Sequence, residues 1–175
     1  YIPGHVIYTD RHSIRTSNGT GSQIIAGNTT QDGYQEETAS AARFRLIQGF
    51  TQISSTHIVV SDTYNYCLKL VYRASSKTTK LAGQCTKPRY LFDHPRSVIK
   101  DVKKLDQLIV ADGSNRGLRS VDVKTGDVNT LVKAFSFVSI SQDEHSGDLF
   151  LTTSNQIFRY IYLPEQKVEH LTDST

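Results

Sequence analysis

The stretch "HIVVSDTYNYCLKL" occupies residues 57–70, and "QLIVADGSNRGLRS" occupies residues 107–120. Both read as a β-branched run, a small residue, Asp, two residues, Asn, and a second apolar run. A chain that states one pattern twice is solving one packing problem twice, so the repeat has to be read before any single motif.

Extending the pattern outward gives four copies. "VIYTD" ends at Asp10, "IVVSD" at Asp62, "LIVAD" at Asp112 and "LFLTT" at Thr153, with spacings of 52, 50 and 41 residues. Each is followed by a second strand ("SIRTS", "YCLKLVYR", "GLRSVDV", "IFRYIYL"). A polar turn and a further strand come next ("SQIIAG", "TTKLAG", "DVNTLV", "KVEHLT"). Three copies are preceded by one more strand: "GFTQIS", "RSVIKDV" and "SFVSISQ". Alternation in "LRSVDV" and the aromatic and β-branched content of "IFRYIYL" favour strands over helices. Turn chemistry agrees, with "RASSKT" and with Thr125-Gly126 in "VKTGDV". Residues 34–48 read as a loop feeding the next inner strand.

Four antiparallel strands recurring every ~40–50 residues predict an all-β chain, a β-propeller of about four blades. The expected organisation is one propeller over residues 1–175: blade one about 1–33 with its first strand missing, blade two 44–86, blade three 92–133 and blade four 134–172. One strand short of four full blades leaves an open sheet edge, which invites pairing with more chain or with another protomer. A partial ring lacking an upstream segment is the expectation, with a closed four-bladed ring as its rival.

These residues resemble NHL repeats. "QDGYQEETASAARFRLIQGF" carries Asp32-Gly33, Ala42, Phe44, Gly49 and Phe50, and "VVSDTYNYCLKL" carries Asp62, Asn65 and Leu68. "FDHPRSV" carries Phe92, Pro95 and Val98, and "IVADGSNRGLRSV" carries Asp112, Asn115 and Leu118. Blade one keeps Asp10 without the Asn, and blade four has Thr153 in place of Asp. The resemblance implies a propeller and specifies fold more than activity. Asp10, Asp62, Asn65, Asp112 and Asn115 are expected to cap the turn between strands, Asp by accepting backbone N–H bonds and Asn by tolerating the left-handed region.

The chain has 175 residues, enough for one domain with a core. Without Met it is expected to be processed or a fragment. No apolar run approaches the ~20 residues of a membrane helix, and the sequence reads as one from which a signal peptide is expected to have been removed already. The net charge of +3 does not demand nucleic acid, but residues 51–100 hold eight Lys/Arg against two Asp/Glu. Lys69, Arg73, Lys77, Lys80, Lys87, Arg89 and Arg96 therefore stand either as a solvated face or as a polyanion-binding face. Tyr64, Tyr66, Tyr72 and Tyr90 lie near them as stacking candidates.

Cys67 and Cys85 are the two cysteines. A hairpin turning at Ser75-Ser76 places position ~84 across from Cys67, within one residue of Cys85. That spacing suits a disulfide in an oxidising compartment, the alternative being two reduced thiols. The form "YCLKL … LAGQC" is similar to that of secreted and ectodomain NHL proteins. Asn18-Gly19-Thr20 and Asn28-Thr29-Thr30 satisfy the N-glycosylation sequon, Asn18 in the better-placed loop.

Six histidines form no H-x-H or H-E-x-x-H, so no metal is expected and no cofactor. No nucleophile elbow or phosphate loop appears. Asp143, Glu144 and Asp148 read as a solvated turn. The expectation is an extracellular, non-catalytic binding or structural module for a protein or glycan, part of a larger ectodomain or assembly. RNA binding on the basic stretch is the alternative, and a secreted metal-dependent lyase or hydrolase the second.

Overall fold

The structure, a computed structural model, describes residues 4–87, 91–115, 117–133, 135–162 and 167–171. Four antiparallel sheets follow one another along the chain. The first has three strands, β1 (Val6–Asp10), β2 (Ser13–Ser17) and β3 (Ser22–Gly27). The second holds β4 (Ile47–Gln52), β5 (His57–Asp62), β6 (Cys67–Tyr72) and β7 (Thr78–Gly83). The third holds β8 (Pro95–Lys100), β9 (Gln107–Asp112), β10 (Gly117–Asp122) and β11 (Val128–Lys133). The fourth holds β12 (Ser139–Gln142), β13 (Leu149–Thr152), β14 (Ile157–Ile161) and β15 (Lys167–Leu171). Within each sheet the strands lie side by side in chain order, the up-and-down arrangement of a propeller blade.

The apolar runs become strands because both of their faces find cover. β5 and β9 are buried over five of their six residues, which is why they read as near-continuous β-branched runs. Their odd and even positions serve different neighbours. Ile58 and Val60 pack with Ile14, Ala26 and Phe44 between the first and second sheets. Val59 and Leu68 pack with Leu108, Val110 and Phe92 between the second and third. Ile109 and Leu118 pack with Leu149, Leu151 and Phe137 between the third and fourth. Each cluster takes one fully buried phenylalanine (Phe44, Phe92 or Phe137) from the segment leading into an inner strand. At about 1.5–3 kcal/mol per buried side chain of this size, these shared clusters hold the sheets together.

The inner strands β4 and β8 approach closely. A Cβ on Gly49 would lie 2.3 Å from the Arg96 carbonyl oxygen, so only glycine permits this approach. β12 follows on β8, and β1 lies beside β4. No contact of comparable extent joins the fourth sheet to the first among the described residues. The sheets therefore form an open arc. In the first sheet β1 occupies the lane that β5, β9 and β13 hold in theirs, and no strand among the described residues takes the lane of β4, β8 and β12 there. The segment read as a loop over 34–48 is one up to residue 46, with one short 3₁₀ turn at Ala39–Ala41 and a bridge between Gln35 and Arg43, while its last two residues already belong to β4.

Candidate functional site

One end of the arc gathers the turns from each second strand into the third, together with the segments that lead into the inner strands. The residues singled out in the repeat meet here. Asp62 closes β5 and is fully buried. Its Oδ1 accepts the Arg45 N–H at 2.6 Å, and its Oδ2 accepts the Asn65 Nδ2 at 2.8 Å. Asp112 repeats the arrangement, accepting the Asp93 N–H at 2.7 Å and the Asn115 Nδ2 at 2.7 Å. Each carboxylate thus ties the lead-in of its inner strand to the end of its second strand, fixing where the exposed turn residues point. Asn65 also donates to the Gly33 carbonyl at 2.6 Å, and Thr63 Oγ1 to the Pro95 carbonyl at 2.8 Å, which links two sheets.

Three corrections to the sequence reading arise at these turns. Asn65 works through its side chain, and the left-handed residue is its neighbour Tyr66, at φ 61°. Asp10 does not take the latch role: its side chain is exposed, and His12 replaces it, with Nδ1 accepting the Leu46 N–H at 3.0 Å. Lys69 is not a surface cation. It is fully buried, 3.0 Å from Asp62, and donates to the Arg43 carbonyl at 2.6 Å. Its ammonium sits 4.5 Å from the Tyr34 ring centroid and 4.7 Å from that of Phe44. Arg119 stands in the same place in the third sheet, 3.3 Å from Asp112. The spacing of Asp62, Asn65 and Lys69 equals that of Asp112, Asn115 and Arg119, and this signal was open to sequence reasoning. Burial pushes the Asp62 and Asp112 carboxyls up from their ordinary values and the Lys69 ammonium down. The donors around each carboxylate oppose that, so each charge is held only because its partner is in place.

Outside the latches the end of the arc is polar and aromatic. His94 lies edge-on to Tyr64 and Tyr66, with ring centroids 4.9 and 5.0 Å away. Its Nδ1 faces Asp93 Oδ1 at 2.8 Å and Ser114 Oγ at 3.1 Å. Acid and hydroxyl share one ring nitrogen, whereas a nucleophile relay needs them on opposite nitrogens. Beside this group is an open depression of about 380 Å³ lined by Arg11, His12, Asp32, Arg45, Leu46 and Tyr64. Arg45 Nε lies 3.3 Å from Asp32, and both side chains are more than half exposed. His12 spends Nδ1 on the Leu46 N–H, which leaves its Nε2–H as a donor.

The remaining basic residues of the set do not converge among the described residues. Arg73 donates to the Ser55 carbonyl at the opposite end of the arc, and Lys77 is exposed there. Lys80 is exposed on the outer strand β7, Lys87 is exposed beyond it, and Arg96 is half-buried on β8. Tyr72 packs edge-on to His57, while Arg89 and Tyr90 lie outside the described residues. Cys67 and Cys85 form a disulfide with Cα atoms 5.0 Å apart, stapling the start of β6 to the residues after β7.

Asn18 sits in the β2–β3 turn, its Oδ1 accepting the Thr20 hydroxyl at 2.9 Å; Asn28 repeats this with Thr30 at 3.0 Å. Asp143 accepts the Ser146 N–H at 2.7 Å within its own turn. Asp148 is buried and bound by Arg159 at 2.5 Å and the Tyr162 N–H at 3.1 Å, an ion pair that the reading of a solvated turn missed. No group of three or more His, Cys, Asp or Glu side chains has metal-binding geometry among the described residues.

The fold is that of a β-propeller, and solved structures share it. A chain of a nidogen/laminin complex superposes with a TM-score of 0.71 at 12% identity, over 96% of this chain and 61% of that one. The extracellular domain of a one-component system from Bacteroides thetaiotaomicron matches with a TM-score of 0.66 at 14% identity, over 97% of this chain and 21% of that one. The tricorn protease matches with a TM-score of 0.61 at 11% identity, over 96% of this chain and 16% of that one. The chain thus spans about three fifths of the first of these and less of the others. No protein-family model matches the sequence, and no curated protein matches it.

Proposed function

We propose that the chain is an extracellular, non-catalytic binding module of NHL-like type that engages a protein partner through the latched end of the arc. The observation that carries this reading is the paired latch. Asp62 and Asp112 lock two successive turns onto the inner-strand lead-ins, so Tyr64, His94, Arg11 and Arg45 are presented from a rigid frame. Aromatic and arginine side chains on fixed supports are the usual anchors of protein interfaces. The disulfide suits an oxidising compartment. Two of the structural relatives are a nidogen/laminin complex and an extracellular domain. N-linked glycans at Asn18 and Asn28 belong to the same proposal: Asn18 stands on the β2–β3 turn, at the opposite end of the first sheet from the latches, while Asn28 follows β3 and its N–H donates to the His12 carbonyl.

The RNA reading has less support, because Lys69 is internal and the other described cations of the set are divided between the two ends and the outer edge. The test is binding of the purified chain to immobilised extracellular-matrix glycoproteins, laminin included, with poly(U) and heparin alongside. Binding to a glycoprotein that falls at least tenfold in Tyr64→Ala and Arg45→Ala, and is unchanged in Lys77→Ala, is the expected result. Binding confined to poly(U) or heparin, falling steeply with salt, overturns it.

A further inference from the structure

Asn18 and Asn28 build the same turn twice. Asn18 Oδ1 accepts the Thr20 N–H at 3.2 Å, the Thr20 hydroxyl at 2.9 Å and the Gly21 N–H at 3.2 Å. Asn28 Oδ1 accepts the Thr30 N–H, the Thr30 hydroxyl and the Gln31 N–H, each at 3.0 Å. In both turns three donors surround one side-chain carbonyl oxygen. They favour negative charge on that oxygen, as the donors of an oxyanion hole do, and so open the amide carbon Cγ to attack.

The turns differ in the residue that supplies the nearest nucleophile. The backbone nitrogen after an asparagine reaches its Cγ by closing a five-membered ring. After Asn28 that nitrogen belongs to Thr29, whose branched side chain is stiff and crowds the approach. Asn28 is also half-buried, and its own N–H is bound to the His12 carbonyl. After Asn18 the nitrogen belongs to Gly19, which has no side chain. Asn18 and Gly19 are both exposed, and nothing lies within 4 Å of where a Gly19 Cβ would stand. Glycine turns its backbone more freely than any other residue. The Gly19 N–H donates to the Ser17 hydroxyl at 3.2 Å, a bond that opens when the nitrogen turns to Cγ.

We propose that Asn18 is a site of self-modification, at which the Gly19 nitrogen displaces ammonia from the side-chain amide. The nitrogen gives its proton to solvent and bonds to Cγ. The Cγ–Nδ2 bond breaks, and Nδ2 takes a proton and leaves as ammonia, which closes a succinimide. Water then adds to either ring carbonyl. Opening at Cγ gives aspartate, and opening at the Asn18 backbone carbonyl gives isoaspartate. The isoaspartyl chain runs through Cβ and Cγ, which adds one carbon to the β2–β3 turn beside the Ser17–Ser22 pair. Either product erases the sequon, so conversion and an N-linked glycan are alternative fates of one side chain. The reaction uses no residue of the latched end and stands or falls separately from the binding reading above.

Peptide mass mapping of the full chain tests it. The protein is purified from a host that does not N-glycosylate, so that Asn18 keeps its amide, and is aged at mildly acidic and mildly alkaline pH. Asn18 is expected to convert to a mixture of isoaspartyl and aspartyl peptides at least about tenfold faster than Asn28. The rate rises with pH, because the attacking nitrogen must lose its proton. Gly19→Ala, with circular dichroism to check that it folds, slows conversion at Asn18 by at least about tenfold. An Asn18 that converts no faster than Asn28 overturns the proposal. So does a product that is aspartyl alone, which is direct hydrolysis by water, or a folded Gly19→Ala chain that converts as fast as the parent.

Discussion

At the scale of single residues, the buried pair of Lys69 and Asp62 decides more than any other contact. Its ammonium has two acceptors and its carboxylate three donors, so neither charge is stable alone in the core. Lys69→Met is expected to cost about 3–5 kcal/mol in urea unfolding, because it strands a buried carboxylate. The double variant Lys69→Met/Asp62→Asn should cost clearly less than the sum of the two single losses. A single-variant loss below about 1 kcal/mol, as for a surface pair, contradicts the account. The turn residues were legible in the sequence because Asp and Asn repeat, but Lys69 was assigned to the surface by its charge. A cation between Leu68 and Leu70 on a strand covered on both sides has no route to water, and it is pinned seven residues after an Asp in two successive repeats.

Asp148 supplies a pH signature at the same scale. The Arg159 guanidinium and the Tyr162 N–H hold its carboxyl below the usual carboxylate range. A lowered folded pKa gives stability that is fully present above the unfolded value of about 3.9 and is lost as pH falls through the folded value. The stability gap between the parent chain and Asp148→Asn should therefore be constant from pH 5 to 7 and narrow below about pH 4. A gap that widens on acidification contradicts the assigned direction.

At the scale of elements, the strands and their order could be read from alternation and turn chemistry, and the outer hairpin from the cysteine spacing. Reducing the Cys67–Cys85 bond, which closes a separation of 18 residues, should lower stability by about 3 kcal/mol in denaturant melts at fixed pH. No change on reduction means that the β6–β7 hairpin is equally ordered without the staple. Gly49→Ala should cost at least about 1–3 kcal/mol, since its methyl group meets a backbone carbonyl that cannot rotate away. Gly21→Ala, with nothing within 4 Å of the added carbon, serves as the neutral control. The sequence pattern contains Gly49, but its reason, the close approach of β4 and β8, is a distance between blades and is not written in local periodicity.

At the scale of the whole molecule, the repeat in sequence is a repeat in packing. Successive sheets share an apolar cluster, and sharing a core on both faces is what makes β5 and β9 near-continuous apolar runs. The extent of the arc was harder to read than its parts. Strand patterns identify what a sheet is made of, while closure depends on how neighbouring sheets are angled, which no single segment encodes. The basic stretch of residues 51–100 likewise looked like one surface and is dispersed by the up-and-down path of the chain. The most direct test of this architecture is amide hydrogen exchange, read strand by strand on the natively purified chain. The account predicts the slowest exchange in β5, β6, β9 and β10, whose sheets are covered on both sides, and the fastest in turns such as Arg73–Lys77. Exchange in β5 and β9 as fast as in those turns would contradict it.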